Sequence, residues 1–406
     1  MRITTLFGKL LGLQGLWVRS VRFGDGELRI NVKKRAKLLT CPHCGKRKRG
    51  RMSSSVRSWR HLGLWGSKTR LEATIHRMRC PSCSKVVTEQ VPWARHDSDF
   101  TRPFEDAVGL MAQKTDHTAI AALFGISWVT VGSIARRLVK ELLDPGRFDG
   151  LRRISVDEIS FRKHHRYLTV VTDHDRRRVI WVGEGKSSET LGACFEELGP
   201  ERCALIEIIT MDMSAAFKKA AREYLPNAQV AFDHFHIAQM ANAALDEVRR
   251  SEVRGLKADE PAKAKAIKGM LAPTRYRLDN LPEKHQAAIS QLRPTQPLGR
   301  AYLLKENLLD VLSCHTNPIV GLKQWMAWAS RSRLEPFVKL SRTIRDHFQG
   351  IRCFLEHRVT NGIAEGMNSK IRMLSHRAFG FHSAEPLIAT IYLCCGKLLL
   401  PELQLL

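Results

Sequence analysis

Two Cys-Pro-x-Cys pairs, Cys41-Pro42-His43-Cys44 and Cys80-Pro81-Ser82-Cys83, constrain this chain more than any other feature. Each C-x-x-C turn points two sulfurs at one centre, and four thiolates satisfy the tetrahedral preference of Zn²⁺. The alternative, a redox-active dithiol, would want a βαβ context that the flanking sequence does not offer. His43 and His76 stand nearby as further ligands, but the four cysteines already complete the set. The other six cysteines (Cys194, Cys203, Cys314, Cys353, Cys394, Cys395) are scattered in apolar surroundings, as inert thiols of a reducing compartment are. Lys46-Arg47-Lys48-Arg49, with Arg51, directly follows the first pair. That run puts cations on the surface of the metal module and marks it as DNA-contacting.

The basic run belongs to a wider bias. The chain carries 66 Lys and Arg against 40 Asp and Glu, a net charge of +26. Residues 1–100 alone hold 22 Lys and Arg against 6 Asp and Glu. A positive potential of that size selects polyphosphate as partner. An anionic membrane surface would want an amphipathic or lipidated segment, and the sequence shows neither. No run approaches the ~20 apolar residues needed to cross a bilayer. Lys9, Arg19 and Arg22 interrupt the mildly apolar N-terminus, and no small-residue cleavage site follows. The expected location is the cytoplasm, in association with the nucleoid. At 406 residues the chain should hold two to four domains.

Residues 1–40 show weak alternation apart from one strand, Leu28–Val32, and residues 41–95 show little helix signal. From Arg102 the period turns helical, with Phe104, Val108, Leu110 and Met111 on one face. Two further helices are expected over His117–Phe124 and Trp128–Leu142. Between them Gly125 supplies a positive φ, Ile126 fills the interhelical core and Ser127 caps the next helix, the layout of a helix-turn-helix. Ser127, Trp128 and Thr130 would then open a recognition helix, with Arg136, Arg137 and Lys140 flanking phosphates. Asp144-Pro145-Gly146 closes this region.

Beyond it the pattern is strand-rich. Ile154–Asp157, Tyr167–Thr172 and Val179–Val182 read as an antiparallel meander. Then come a helix (Ser188–Leu198), a strand (Leu205–Met211), a helix (Ser214–Tyr224) and a strand (Gln229–Phe232), giving a mixed α/β sheet with helices packed on it. From His234 to His357 only helical periodicity remains, divided by Pro273, Pro294 and Pro297. A last helical pair, Ala364–Leu374 and Pro386–Leu398, ends the chain.

Two-metal phosphoryl transfer needs carboxylates converging on hard cations, and Mg²⁺ takes oxygen ligands. Asp157 ends the first strand of the meander and Asp212 ends the fourth. In a sheet where those two strands are neighbours, the side chains meet. Glu365, on the late helix in Asn361-Gly362-Ile363-Ala364-Glu365-Gly366-Met367-Asn368-Ser369-Lys370, is the candidate third acid. Asn368 and Arg372 follow it on one helical face. Glu158 adjoins Asp157, and pleating lets only one of the two aim at the site. Asp157 is the choice.

These segments resemble the bacterial ISL-three insertion-sequence transposases, within the DDE superfamily. The likeness is carried by Ser155 to Lys163 with Arg166-Tyr167, Thr210-Met211-Asp212-Met213-Ser214, Asp233-His234-Phe235-His236, Ala301-Tyr302-Leu303-Leu304-Lys305-Glu306, and Asn361 to Arg372 with Ala378-Phe379-Gly380-Phe381. It runs essentially end to end. The resemblance implies an RNase H-like catalytic core interrupted by an all-helical insertion, preceded by a zinc-ribbon-like module and a helix-turn-helix. The expected divisions are 1–97 for the zinc module and 98–145 for the helix-turn-helix. The core's first part would span 150–235, the insertion 236–350 and the core's C-terminal part 351–406. Asp157, Asp212 and Glu365 correspond to the family's two Asp and Glu. Asp233 and His236 resemble an auxiliary Asp-x-x-His signature near the active site.

The implied activity is binding of terminal inverted repeats and Mg²⁺-dependent cleavage and strand transfer, with Mn²⁺ as a substitute metal and structural Zn²⁺ in the N-terminal module. Asp157 would bridge two Mg²⁺ ions, with Asp212 on one and Glu365 on the other. Water would attack the element's end, and the freed 3′-OH would then attack target DNA. Lys163, Arg166, Lys370 and Arg372 are candidates for holding phosphates. The partner is double-stranded DNA, element ends and target alike, with at least a homodimer in the DNA complex. The alternative is a sequence-specific DNA-binding regulator whose RNase H-like domain is inactive.

Overall fold

The computed structural model describes residues 2–401 apart from 65, 163–165, 257, 360, 361, 378–380 and 382. Lys163, Asn361 and Ala378-Phe379-Gly380, singled out above, lie outside the described residues, as does residue 360. The chain forms two compact units, one of Met1–Asp144 with Leu374–Leu406 and one of Pro145–Met373. The division after Asp144 falls within Asp144-Pro145-Gly146.

In the first unit α1 (Ile3–Leu10) precedes the hairpin of β1 (Leu16–Gly24) and β2 (Glu27–Lys34). A short antiparallel pair, β3 (Leu39–Thr40) and β4 (Arg47–Lys48), carries the first cysteine knuckle. Among the described residues no helix falls between 41 and 95, and strands that the sequence did not single out fill the segment. A long hairpin, β5 (Ser53–Leu64) and β6 (Ser67–Arg79), fills the space between the knuckles, with β7 (Val86–Thr88) beyond the second. Trp59, Leu71, Ala73 and Ile75 of that hairpin bury against Leu28, Ile30 and Val32 of β2. The alternation was there in Leu71-Glu72-Ala73-Thr74-Ile75, but flanking Ser and Arg dilute it. The resulting sheet has strand order β1-β2-β6-β5, with β7 on β6.

Three helices follow: α2 (Arg102–Ala112), α3 (His117–Phe124) and α4 (Trp128–Leu142). Asp116 caps α3 by accepting from the Thr118 and Ala119 N–H groups. Gly125 takes φ 56° at the turn, a left-handed conformation that glycine adopts without strain, and Ser127 caps α4 by accepting from Thr130 N–H. A buried ionic cluster ties the strands' end to these helices. Arg95, 5% exposed, lies 2.7 Å from Asp106, 3.3 Å from Glu105 and 2.6 Å from Glu141. Removing one partner of such a cluster strands buried charge. Arg95→Ala is expected to destabilise the first unit by roughly 3–5 kcal/mol. Urea denaturation followed by tryptophan fluorescence would show it, and an unchanged midpoint would assign the cluster no weight.

The second unit holds a five-stranded sheet of order β10-β9-β8-β11-β12. Its strands are β8 (Arg153–Arg162), β9 (Arg166–Asp173), β10 (Arg178–Glu184), β11 (Ile208–Met211) and β12 (Gln229–Phe232). The first three form the expected meander, while β11 pairs parallel with both β8 and β12. Helices α5 (Ser188–Leu198), α6 (Pro200–Cys203) and α7 (Ala215–Tyr224) connect the later strands. The strand expected from Leu205 starts only at Ile208, because α6 and its following turn occupy the preceding residues.

The next stretch is helical: α8 (His234–Leu256), α9 (Pro261–Gly269), α10 (Glu283–Ser290), α11 (Pro297–Ser313), α12 (Pro318–Ser330), α13 (Glu335–Asp346) and α14 (Phe348–His357). Lys305 of α11 is fully buried, 2.7 Å from Glu306, and donates to the Thr274 and Tyr276 carbonyls at 2.9 Å. That anchor pins the turn after α9 and accounts for the Lys305-Glu306 pair within the segment matched above. Helix α15 (Gly362–Arg377) follows, and α16 (Ala384–Cys395) ends the order. Residues 351–406 were expected to form one piece of the core. Instead Leu374–Leu406 cluster with the first unit, where α16 packs on α4 and α2 through Leu387 and Ile391, both fully buried. Among the described residues no single helix is long and apolar enough to cross a membrane.

Candidate active site and metal centre

The four cysteines converge. Their sulfurs lie within 4.8 Å of one another, with Cys44 and Cys80 at 3.4 Å and Cys41 and Cys83 at 3.8 Å. Each knuckle is closed by its own backbone: Cys41 N–H donates to the Lys46 carbonyl and Cys80 N–H to that of Lys85, both at 2.9 Å. The Cys83 backbone N–H, with that of Ser82 behind it, holds the Cys80 thiol down at about 6, while the Cys80 sulfur beside it pushes the Cys83 thiol up to about 11. His43 and His76 are not members of the cluster. Lys46, Arg47 and Arg49 project into solvent beside it, while Lys48 donates to the Arg79 carbonyl at 3.2 Å.

In the second unit the parallel register lines up the acids. Ile209 pairs with Ile154 and Thr210 with Ser155, so two residues further on Asp212 stands level with Asp157. The Thr210 hydroxyl donates to that of Ser155 at 2.8 Å, which fixes the shared face. In the same way Met211 pairs with Phe232, and the Asp233 N–H donates to the Met211 carbonyl at 3.0 Å, bringing Asp233 level with Asp212. Neighbouring strands are about 4.8 Å apart, so three carboxylates stand side by side at the sheet's carboxyl end. Asp157 does not end its strand, as expected, but sits inside β8, which continues on β9 to Arg162 after β11 has stopped. The site therefore forms where the sheet narrows.

Helix α15 approaches this row. Asn368, 3% exposed, donates from Nδ2 to Asp157 Oδ2 at 2.5 Å, and the Glu158 N–H donates to Asp157 Oδ1 at 2.8 Å. Glu365 lies one helical turn before Asn368, on the same face and half-buried. It makes no hydrogen bond or ion pair to the other acids among the described residues. Glu158 is 3.9 Å from Lys186. Burial, with Asp212 and Asp233 adding like charge, pushes the Asp157 carboxyl up to about 6. His236 Nε2 is 3.9 Å from Asp233 Oδ2, longer than a hydrogen bond. Two oxygens here, Asp233 Oδ2 and Asn368 Oδ1, are buried with no hydrogen-bond partner. The sequence placed Asn368 on the face of Glu365 but gave it no part in the site; its i+3 spacing was the signal.

The helix-turn-helix keeps some of its expected contacts free and spends others. Ser127 is exposed at the start of α4, with Thr130 Oγ1 2.8 Å from its hydroxyl. Trp128 turns partly inward, its ring 5.3 Å from His117. Arg136 and Arg137 were expected on phosphates. Arg137 instead lies 2.6 Å from fully buried Glu105, and Arg136 lies 3.0 Å from Glu385. Val129, which the sequence did not single out, is 68% exposed at the second position of α4. Arg166, Lys370 and Arg372 are exposed.

A four-thiol module, a capped helix-turn-helix and a mixed sheet with aligned acids follow one another along the chain, the build of a DNA-processing protein. Three family models match in the same order: a zinc finger of insertion-sequence transposases over residues 37–83, the helix-turn-helix domain of transposase family ISL3 over 89–139, and the ISL3 transposase domain over 154–391. The chain belongs to the ISL3 (ISL-three) family of insertion-sequence transposases. It is 36% identical to the transposase for insertion sequence element IS1557 of Mycobacterium tuberculosis, covering 96% of this chain and 95% of the relative. It is 27% identical to the transposase for IS1001 of Bordetella parapertussis, covering 94% and 95%. The zinc-finger match and the four gathered thiols together support a structural Zn²⁺ in the N-terminal module.

Proposed function

We propose that this chain binds the terminal inverted repeats of its element and catalyses Mg²⁺-dependent strand cleavage and transfer, with Asp157, Asp212 and Glu365 as the catalytic acids. The observation that carries this reading is the register that sets Asp212 level with Asp157, with α15 reaching Asp157 through Asn368. Strand order β10-β9-β8-β11-β12, three antiparallel then two parallel, supports an RNase H-like core. On this reading residues 150–235 and the segment through α15 form that core, and 236–350 is a helical insertion.

The donor set fits the metal. All candidate ligands are oxygens, which Mg²⁺ prefers, and the unpartnered Asp233 and Asn368 oxygens are acceptors suited to metal-bound water. Bound there, Mg²⁺ supplies Lewis acidity that activates water and steadies the leaving 3′ oxygen. Asn368 fixes the Asp157 carboxylate by its hydrogen bond, and Asp233 with His236 supports the site from β12 and α8. Ser127, Thr130 and the Lys46–Arg49 run contact DNA, and Lys370 and Arg372 on α15 hold phosphates near the acids.

Protons compete for the site. A carboxyl held at about 6 rather than 3.8 keeps its proton in the folded, metal-free protein up to about pH 6. Its contribution to stability is present in acid and is lost as pH rises through about 6. Mg²⁺ affinity should therefore climb about tenfold per pH unit below that value and level off above it. Calorimetric titration of Mg²⁺ from pH 5 to 8 would show the bend, and a flat profile would remove Asp157 from the ligand set.

The functional test uses labelled duplex carrying the element's inverted repeats, with Mg²⁺. Nicked and joined products are expected. Binding without any nicking would instead identify a regulator with an inactive core.

A further inference from the structure

The sheet of the first unit has a second face that the zinc module and helix-turn-helix do not explain. One face buries Leu28, Ile30, Leu71 and Trp59. On the other, the register pairs Arg22 with Arg29, Arg29 with Arg70 and Arg70 with Arg60, which places one arginine on each of four adjacent strands in a single row. Lys33 and Lys68 share that face by the two-residue pleat.

Like charges directly opposite one another destabilise a sheet, so such a row works against folding. Among the described residues, Glu27 and Glu72 offset it. Glu27 accepts from Arg70 at 2.7 Å and from Arg29 at 3.0 Å, and Glu72 lies 4.0 Å from Arg29. Arg22 is exposed and makes no ion pair among the described residues. Burial, and then the Arg70 charge beside it, pull the Arg60 guanidinium below its ordinary range. Trp17, 59% exposed, shares the face through its pairing with Lys33, and the Arg35 guanidinium sits 4.2 Å from its ring centre. The row ends at the helix-turn-helix: Arg60 Nη1 donates to the Gly125 carbonyl, in the turn between α3 and α4, at 2.9 Å.

We propose that this arginine row is a docking surface for the phosphate backbone of duplex DNA, extending the footprint of the helix-turn-helix along the same molecule. The proposal rests on the reading of the chain as a DNA-recombining enzyme. Its chemistry is that of phosphate contacts, which fix register and affinity and read no bases. Arginine suits the task because its planar fork pairs with two phosphate oxygens at once.

The test measures binding of the full chain to a labelled inverted-repeat duplex over a range of salt concentrations. Arg22→Gln with Arg29→Gln should lower the slope of log affinity against log salt by about 1.8, at about 0.9 per phosphate contact. At 0.1 M salt binding should weaken on the order of 50-fold. Lys265→Gln with Lys268→Gln, on α9 of the second unit, removes the same charge elsewhere and should change little. Arg22→Gln alone, at an exposed site, guards against a folding defect and should give about half the slope change. Equal losses from both double variants would overturn the proposal, since net charge alone would then be responsible. Tighter binding to anionic vesicles than to duplex would overturn it as well. Failure of the unaltered chain to bind duplex would remove the DNA reading itself, whereas binding that ignores the row removes the row alone.

Discussion

Asp157→Asn is expected to abolish strand cleavage while leaving DNA binding unchanged. The substitution keeps the size of the side chain but removes the charge that a shared cation needs, at the point where β8, β11 and α15 meet. Stabilisation by a metal at a reacting phosphoryl group is worth several kcal/mol. At 1.36 kcal/mol per factor of ten, the cleavage rate should fall by about a thousandfold or more. Binding should survive because the zinc module and the helix-turn-helix belong to the other compact unit. Cleavage of labelled inverted-repeat DNA and anisotropy on the same DNA would be measured side by side. A variant that still nicks at a comparable rate would dismiss Asp157 from the chemistry.

Removal of zinc is expected to unfold the knuckle region and leave the neighbouring sheet standing. The apolar cluster around the cysteines consists of Leu39, Met78 and Val87 with two of the thiols, far too little to hold a fold. Structural zinc in small modules contributes an apparent ~10–16 kcal/mol at neutral pH. Cys80→Ser or a strong chelator should therefore release one zinc per chain, and residues 39–48 and 80–88 should lose protection from hydrogen exchange. Strands β1, β2 and β6 have their own core around Trp59, Leu71 and Trp93 and should keep theirs. Retained protection at the knuckles without metal would show that the fold does not depend on it.

What the sequence displayed depended on how local its cause was. The helix-turn-helix was legible to the residue, because Ser127 and Gly125 set the helix ends by capping and backbone conformation within a few positions. The three-strand meander was legible in its order, since Tyr167–Thr172 and Val179–Val182 are short apolar runs between turn signals, but its first strand runs on past Asp157 to Arg162. The β5–β6 hairpin was not, because Ser, Arg and His interrupt its alternation and only packing against β2 reveals the buried face. The acids illustrate the same divide. Asp157 and Asp212 could be matched once strands one and four were taken as neighbours. Asn368 could not, because its hydrogen bond to Asp157 spans 211 residues of chain. The same distance effect hid the fate of Arg137, whose partner Glu105 sits on another helix.

Helix α4, the second helix of the helix-turn-helix, packs on α16, more than two hundred residues further along the chain. A ribosome adds about 5–20 residues per second, so the interval between making Leu142 and making Ala384 is on the order of tens of seconds. During that time the emerging polypeptide lacks the helix that backs its reader. An aborted or frameshifted product would carry the reader without its brace. The helix-turn-helix thus gains the packing of α16 only when synthesis is nearly finished.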